Sequence, residues 1–371
     1  MTVPKKNLRT VSVLFECHHL YYLPNFIPII DEMCKRGHYH ITASIPHSVN
    51  SEEQKIFQRT CANIGIPTIS RIDETSRLAT LNQAEFDVVV VGNIGKLHSI
   101  IHDTSLAVMV YHGIGMKQTY YRDIDDRIDL RAVESQVRLE ELQNRGYTNL
   151  VLVGFTKCDP LVNISSDQWE KLDQMGLDPR RKTVLFAPTF YPSSQEKLLP
   201  YLENLSYEFN LIIKLHSFSW HQQRYLSQSE KMKQVTNEHK NTFLVPADEY
   251  DIIPYYKLAD LLVSDISSTI YEFLALDRPI IMAECFTLRL KHRLFNRRFQ
   301  RRLDFERMES VDFAYRLVNP ADVLSLTYHA LEHPEEMRSQ RQKALEEYLY
   351  KGDGKASWRL VNAIEQRLGQ K

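Results

Sequence analysis

Short runs of branched apolar residues alternate along the chain with longer stretches whose apolar positions recur at helical spacing. That alternation is the signature of parallel α/β units. In the first half the runs predict strands at Thr10–Phe15, Tyr39–Ile45, Phe86–Gly92, Leu106–His112 and Asn149–Gly154. In the second half they predict Thr183–Ala187, Phe209–His216, Asn241–Val245, Leu261–Ser264 and Pro279–Ala283. Several, such as Val88-Val89-Val90-Val91, are continuous apolar runs, as expected of strands covered on both faces of a doubly wound sheet. No internal repeat or low-complexity tract interrupts the pattern.

A chain of 371 residues exceeds what one compact core serves well. Polar residues around Pro160, Gly176 and Pro179 mark the predicted boundary. The expected division is an N-terminal Rossmann-like domain over residues 1–165 and a C-terminal one over 166–371, with the last helix a candidate to pack back on the first. Two such domains in series predict a cleft between them. Ligands of doubly wound sheets bind outside the carboxyl ends of the strands, so residues just after strands are the first candidates for chemistry.

Charge narrows the field. With 46 basic and 47 acidic residues the formal net charge is -1, which argues against a nucleic-acid partner. The five cysteines are scattered without a C-x-x-C pair, which disfavours a zinc knuckle or a disulfide framework and suits a reducing, cytoplasmic setting. The early apolar run Val11 to Phe15 stops at Glu16, too short for a signal-peptide core. Any membrane association is therefore expected to be peripheral.

Four segments follow predicted strands. In Tyr111-His112-Gly113-Ile114-Gly115-Met116-Lys117, two glycines allow a sharp turn, His112 is a candidate general base, and Lys117 is a candidate phosphate partner. The alternative is a tight turn with a structural His. In Ser264-Asp265-Ile266-Ser267-Ser268-Thr269, backbone N–H groups, hydroxyls and a helix start form a candidate anion site at Ser267, Ser268 and Thr269. Thr269 and Glu272 also fit a T-x-x-E capping box; Glu272 is read either as a ribose partner or as a helix-surface charge. Lys214-Leu215-His216 ends a strand in a second His, and Ala187-Pro188-Thr189 places a hydroxyl after another. Each of these two is weak alone.

Other signals are set aside. Asp123-Ile124-Asp125-Asp126 resembles a D-x-D metal motif but follows no predicted strand, and His18-His19 and the His98/His102 pair lack a third ligand at a recognised spacing. No metal and no cofactor are expected. Neither a P-loop nor a G-x-G-x-x-G fingerprint occurs. Between residues 289 and 302, Arg289, Lys291, Arg293, Arg297, Arg298, Arg301 and Arg302 occur without an acidic residue, with Leu290, Leu294, Phe295 and Phe299 among them. Such a basic amphipathic segment suits an anionic membrane surface; a solvated helix packed on the domain, or an RNA-like contact patch, is the alternative.

Taken in order, these segments resemble the CDP-glycerol glycerophosphotransferase family, which includes teichoic acid glycerol-phosphate primases and polymerases. The family's His-Gly-x-x-x-Lys element is similar to His112–Lys117, and its Gly-x-Pro-[Arg/Lys]-x-Asp-x-Leu element to Gly154–Leu161, with Thr156 for proline. Its [Tyr/Phe]-Ala-Pro-Thr element matches Phe186–Thr189, Ser-Asp-Tyr-Ser-Ser matches Ser264–Ser268 with Ile266 for tyrosine, and Asp-Gly-Lys-Ala-Ser matches Asp353–Ser357. The chain departs from the family at Phe190-Tyr191, where Trp-Arg is usual, at Lys214, where Arg is usual, and in Ala283-Glu284-Cys285.

The resemblance implies a GT-B fold and attack of an acceptor hydroxyl on the donor's β-phosphorus, with release of CMP. It implies a CDP-glycerol-like donor, a lipid-linked or polymer acceptor, and work at the inner face of the cell membrane. By position, His112 is the implied base and His216 the second catalytic His, while Thr189, Lys214 and Ser267–Thr269 serve the donor phosphates. Two other readings stay open: a GT-B glycosyltransferase or UDP-sugar 2-epimerase using a nucleotide sugar, and a catalytically silent nucleotide- or lipid-surface-binding protein.

Overall fold

The computed structural model describes residues 9–71, 73–114, 125–163, 167–289 and 308–370. The chain divides into two compact units. The first comprises Met1–His112, Tyr121–Asp159 and Gly352–Lys371; the second comprises Gly113–Tyr120 and Pro160–Lys351.

In the first unit the described strands are β1 (Val11–Glu16), β2 (Tyr39–Ser44), β3 (Thr68–Ile69), β4 (Val88–Val91), β5 (Leu106–Val110), β6 (Leu130–Val133) and β7 (Leu150–Leu152). They form one parallel sheet in the order β3-β2-β1-β4-β5-β6-β7. Every valine of β4 is 0% exposed. Burying each such side chain contributes about 1.5–3 kcal/mol, which is why this run settles in the middle of the sheet. Local chemistry sets the helix ends. Asn50 accepts the Glu52 N–H at 2.8 Å to start helix Ser51–Asn63, and Asp73 does the same for Ser76 at the head of helix Glu74–Gln83.

The chain's last helix, Ala356–Leu368, belongs to this unit and packs against helix Leu23–Arg36. Its outer face is tied by Arg36 to Glu365 at 2.8 Å and by the Tyr39 hydroxyl to the same carboxylate at 3.1 Å. Its N-terminus is capped from far away in sequence: Asp159 accepts the N–H groups of Ala356 at 2.9 Å and Ser357 at 2.7 Å. Two short elements singled out in the sequence, Gly154–Leu161 and Asp353–Ser357, thus meet through one carboxylate.

In the second unit the described strands are β8 (Thr183–Phe186), β9 (Asn210–Ile213), β10 (Thr242–Leu244), β11 (Leu261–Ser264), β12 (Ile280–Ala283) and β13 (Tyr315–Leu317). These too are all parallel, in the order β10-β9-β8-β11-β12-β13. Val184, Phe186, Leu211, Ile213, Leu261, Val263, Ile281 and Ala283 give this sheet a shared apolar core.

Both units are doubly wound. Strand order reverses between β1 and β4 in the first sheet and between β8 and β11 in the second. Connections leave toward opposite sides at such a switch point, and the crevice they open beyond the carboxyl ends is where ligands bind. All ten strands predicted from the apolar runs occur, within two residues at each end apart from the tail of Phe209–His216. The pattern missed β3, β6 and β13. β3 is a two-residue edge strand and β13 an edge strand of three. β6 was hidden by a charge: Arg131 lies in mid-strand and is fully buried, its Nη2 donating to the Asp125 carbonyl at 2.9 Å.

Candidate active site

At the switch point of the second sheet two loops are locked together. After β11, Asp265 is fully buried, and its Oδ1 accepts the Thr189 N–H at 2.8 Å. Its Oδ2 accepts both the N–H of Ser194, at 3.0 Å, and its hydroxyl, at 2.9 Å. Ser264 Oγ donates to the Ala187 carbonyl at 2.6 Å. The segments after β8 and β11 are therefore one braced unit, with Thr189 buried inside it.

The hydroxyls of the second loop divide their work. Thr269 Oγ1 shares a hydrogen bond with Ser264 Oγ at 2.7 Å; since Ser264 spends its proton on Ala187, Thr269 is the donor. Ser268 Oγ donates to Glu272 Oε1 at 2.8 Å. Ser267 Oγ instead accepts, from the Thr269 N–H at 3.4 Å, which leaves its own proton to point elsewhere. The T-x-x-E capping box does not form: the helix starts at Thr269 behind Ser268, with the Thr269 hydroxyl turned toward β11. Glu272 is not a helix-surface charge either. It is 0% exposed and also accepts the Tyr256 hydroxyl at 3.0 Å. The α-helical stretch is only Thr269–Glu272, so its macrodipole is small and any anion held here relies on local N–H and O–H groups.

Lys214 and His216 follow β9. Lys214 is buried, and its ammonium donates to the Leu215 carbonyl at 3.3 Å. His216 caps helix Ser217–His221: its Nδ1 accepts the Phe218 N–H at 3.1 Å. A neutral imidazole accepting at Nδ1 carries its proton on Nε2, so His216 keeps its hydrogen-bond donor on the other ring nitrogen. The ring is held between Phe190, centroids 4.7 Å apart, and Phe218 at 4.9 Å. Phe190, one of the departures from the family pattern, thus packs on the second His. Tyr191, the other, stacks under Arg289, whose guanidinium lies 4.1 Å from its ring and 5.2 Å from that of Tyr225. Of the basic run, Lys291, Arg293, Arg297, Arg298, Arg301 and Arg302 lie outside the described residues.

In the first unit His112 follows β5. Its ring lies 4.3 Å from Tyr22 and 5.3 Å from Tyr21, so aromatic packing sets its orientation. Lys117 lies outside the described residues. Of the acidic D-x-D look-alike, Asp125 is engaged by His98 Nε2 at 2.8 Å and by the Arg127 N–H at 2.9 Å. No group of three or more His, Cys, Asp or Glu suited to a metal ion occurs among the described residues. None of their helices is long and apolar enough to cross a membrane.

Sequence reasoning named the hydroxyls but passed over Asp265, the residue that holds them in place. Its signal was available: an acidic residue inside a strand-end loop otherwise made of apolar and hydroxyl groups is usually buried and bonded to backbone N–H groups.

A family model described as CDP-glycerol:poly(glycerophosphate) glycerophosphotransferase matches residues 134–366. A stretch of 148 residues is 26% identical to the teichoic acid ribitol-phosphate polymerase TarK of Staphylococcus aureus; it covers 36% of this chain and only 26% of that relative's length. Among solved structures, the wall teichoic acid polymerase TagF superposes with a TM-score of 0.70 at 15% identity, over 97% of this chain and 89% of TagF. A UDP-GlcNAc 2-epimerase from Neisseria meningitidis superposes with a TM-score of 0.64 at 13% identity, over 96% of this chain and 99% of that one. At such identities the superpositions show the fold, two Rossmann-like domains of the GT-B kind.

Proposed function

The chain belongs to the CDP-glycerol:poly(glycerophosphate) glycerophosphotransferase family, and from that premise we propose that it transfers a polyol-phosphate unit, glycerol-phosphate or a close relative, from a CDP-activated donor to an acceptor hydroxyl. The β-phosphorus gains a bond to the acceptor oxygen and loses its bond to the bridging oxygen, which leaves on CMP. The acceptor's proton passes to His112. The products feed a teichoic-acid-like cell-surface polymer, on a lipid-linked or polymeric acceptor at the cytoplasmic face of the membrane.

The observation that carries this reading is the braced pair of loops at the β8/β11 switch point, with an oriented imidazole after the adjoining strand β9. Ser267 Oγ–H donates a hydrogen bond to a donor phosphate oxygen, Ser268 and Thr269 shape the loop, and His216 Nε2–H donates to the diphosphate as charge moves onto the departing CMP. Lys214 adds positive charge near that end, Thr189 fixes the facing loop, and Glu272 holds Ser268. Phosphoryl transfer asks for such positioning and charge neutralisation more than for covalent help. A base on the alcohol is worth about 10²–10⁴-fold.

The test is a donor panel. Purified protein is incubated with CDP-glycerol, CDP-ribitol and UDP-N-acetylglucosamine in the presence of membrane extract. CMP release from a CDP-polyol supports the proposal; UDP release or epimerisation of the nucleotide sugar, with no CMP, would replace it with the nucleotide-sugar reading. Nucleotide binding without any turnover would favour a silent binding protein.

A further inference from the structure

Helix Leu226–Glu238 carries an amide where its packing calls for an apolar residue. Met232 is fully buried in the core of the second sheet. Gln228 lies one turn before it, on the same face, and is 6% exposed. A buried amide is costly unless its donors and acceptor are paired, and an apolar side chain of like size would fill the same space. Its hydrogen bonds therefore account for its presence.

The side chain of Gln228 is committed in three directions. Nε2 donates to the Phe190 carbonyl at 3.1 Å and to Glu196 Oε1 at 3.0 Å. Oε1 accepts the Ser219 hydroxyl at 2.8 Å. A carbonyl and a carboxylate oxygen only accept, so both must face the NH2 group, and the reversed amide would set oxygen against oxygen. The backbone is held as well, since the Gln228 carbonyl accepts Gln195 Nε2 at 3.0 Å.

The elements joined by this amide are those that surround His216. The rings of His216, Phe190 and Phe218 form a triangle, with centroids 4.7 Å apart from His216 to Phe190, 4.9 Å from His216 to Phe218 and 4.8 Å between the phenylalanines. Phe190 arrives on the loop after β8, and Gln228 holds it by its carbonyl. Phe218 and His216 belong to the chain after β9, and Gln228 holds that chain through Ser219, which is buried and donates its N–H to the His216 carbonyl at 2.8 Å. The Phe218 N–H on Nδ1 fixes one atom of the imidazole. The tilt of the ring about that bond is left to the two phenylalanines, and hence to what sets their spacing.

We infer that Gln228 is the positioning residue of His216: it pins the loop after β8 to the helix start after β9 and so sets the direction of the Nε2–H bond. The inference rests on the transfer reading for the task of His216. It adds a residue on a third element that acts through the imidazole and not on the substrate.

Two measurements on the full chain test it. The first needs no donor: imidazole nitrogen NMR, with the His216 signals identified by their loss in His216→Ala. The parent is expected to show one His216 tautomer, protonated at Nε2, and Gln228→Met and Ser219→Ala are expected to show both tautomers. Ser229→Ala, which removes a hydroxyl bonded within the same helix to the Leu226 carbonyl at 2.9 Å, is expected to match the parent. The second is CMP release, where Gln228→Met is expected to lower kcat about ten- to hundredfold while KM changes less than about threefold. In a His216→Ala background the same substitution is expected to cost less than about twofold, because its target is gone; a residue that only supports the fold would cost the same in both backgrounds. If Gln228→Met does not fold, Ser219→Ala carries both measurements. A parent-like tautomer in both variants, or an undiminished loss in the His216→Ala background, overturns the inference. Absence of CMP release from every CDP-polyol counts against the transfer reading alone, since the spectra decide the positioning without it.

Discussion

Asp265 accepts the backbone N–H of Thr189 at 2.8 Å, across 76 residues of sequence. That bond explains why Ala-Pro-Thr and Ser-Asp-x-Ser-Ser occur together: neither loop keeps its shape without the other. Ser194 completes the arrangement by donating twice to the second carboxylate oxygen.

Replacing Asp265 with Asn turns one acceptor into an amide donor that faces N–H groups. Leaving those buried donors unsatisfied costs about 2–4 kcal/mol. Urea denaturation should show a loss of unfolding free energy of that size, read as a lower midpoint at an unchanged slope. An unchanged midpoint would mean that the loops are held by something other than this carboxylate.

His112→Ala and His216→Ala are expected to lower CMP release by different routes. Loss of the base costs about 10²–10⁴-fold, and loss of one oriented donor to the transition state about 10²–10³-fold. His216→Ala should also unfold a few degrees lower, because it removes the cap of helix Ser217–His221. Parent-level turnover in either variant removes that residue from the mechanism.

The Asp159 cap predicts a local effect. Asp159→Ala leaves the N–H groups of Ala356 and Ser357 without their acceptor and should cost about 1–2 kcal/mol, the usual worth of an N-cap. Hydrogen exchange is expected to quicken in helix Ala356–Leu368 while the second sheet stays protected. Uniform quickening throughout would contradict the assignment.

Stability should respond to pH through two opposed groups. Glu53, raised to about 7, favours the fold while protonated; its contribution is complete below its unfolded pKa near 4.5 and is lost as pH rises through about 7. His18, lowered to about 4, favours the fold while neutral; its contribution is complete above 6.5 and is lost as pH falls toward 4. The two slopes offset each other in the parent between pH 4.5 and 6.5. Glu53→Gln should therefore gain stability over the parent as pH climbs from 4.5 to 7, and His18→Gln should gain as it drops from 6.5 to 4. Parallel curves in chemical denaturation would show that neither group titrates as described.

The basic run carries two separate expectations. Gln at Lys291, Arg293, Arg297, Arg298, Arg301 and Arg302 together should weaken flotation with anionic vesicles, at about 1 kcal/mol for each charge near the surface. Arg289→Gln alone should instead lower thermal stability, since it removes the guanidinium stacked on Tyr191 and Tyr225. Unaltered flotation of the sixfold variant ends the membrane proposal.

Most of the fold was legible because its central strands are apolar on both faces, and such runs stand out in sequence. β6 was not, because Arg131 finds partners such as the Asp125 carbonyl and the Tyr147 ring outside its own strand. The second-sheet loops were legible as hydroxyl-rich turns, but which hydroxyl keeps its proton depends on Ser264 reaching Ala187, a contact across 77 residues. The packing at His18 left no readable mark: a His-His pair signals nothing until Gly95 is seen to clear the space of the His18 ring and Gly92 that of Tyr22. Glu53 looked like one more polar position in helix Ser51–Asn63, since burial is set by what the helix packs against.

The unit that opens with β1 is finished by residues 352–370, after the whole second unit has been made. On the ribosome the first unit has all its strands by Leu152 but waits, with a groove along helix Leu23–Arg36 still uncovered, until the second unit has been made. Loss of the final helix would strip apolar surface from the half of the protein made first, and separate expression of that half requires splicing residue 159 to residue 352.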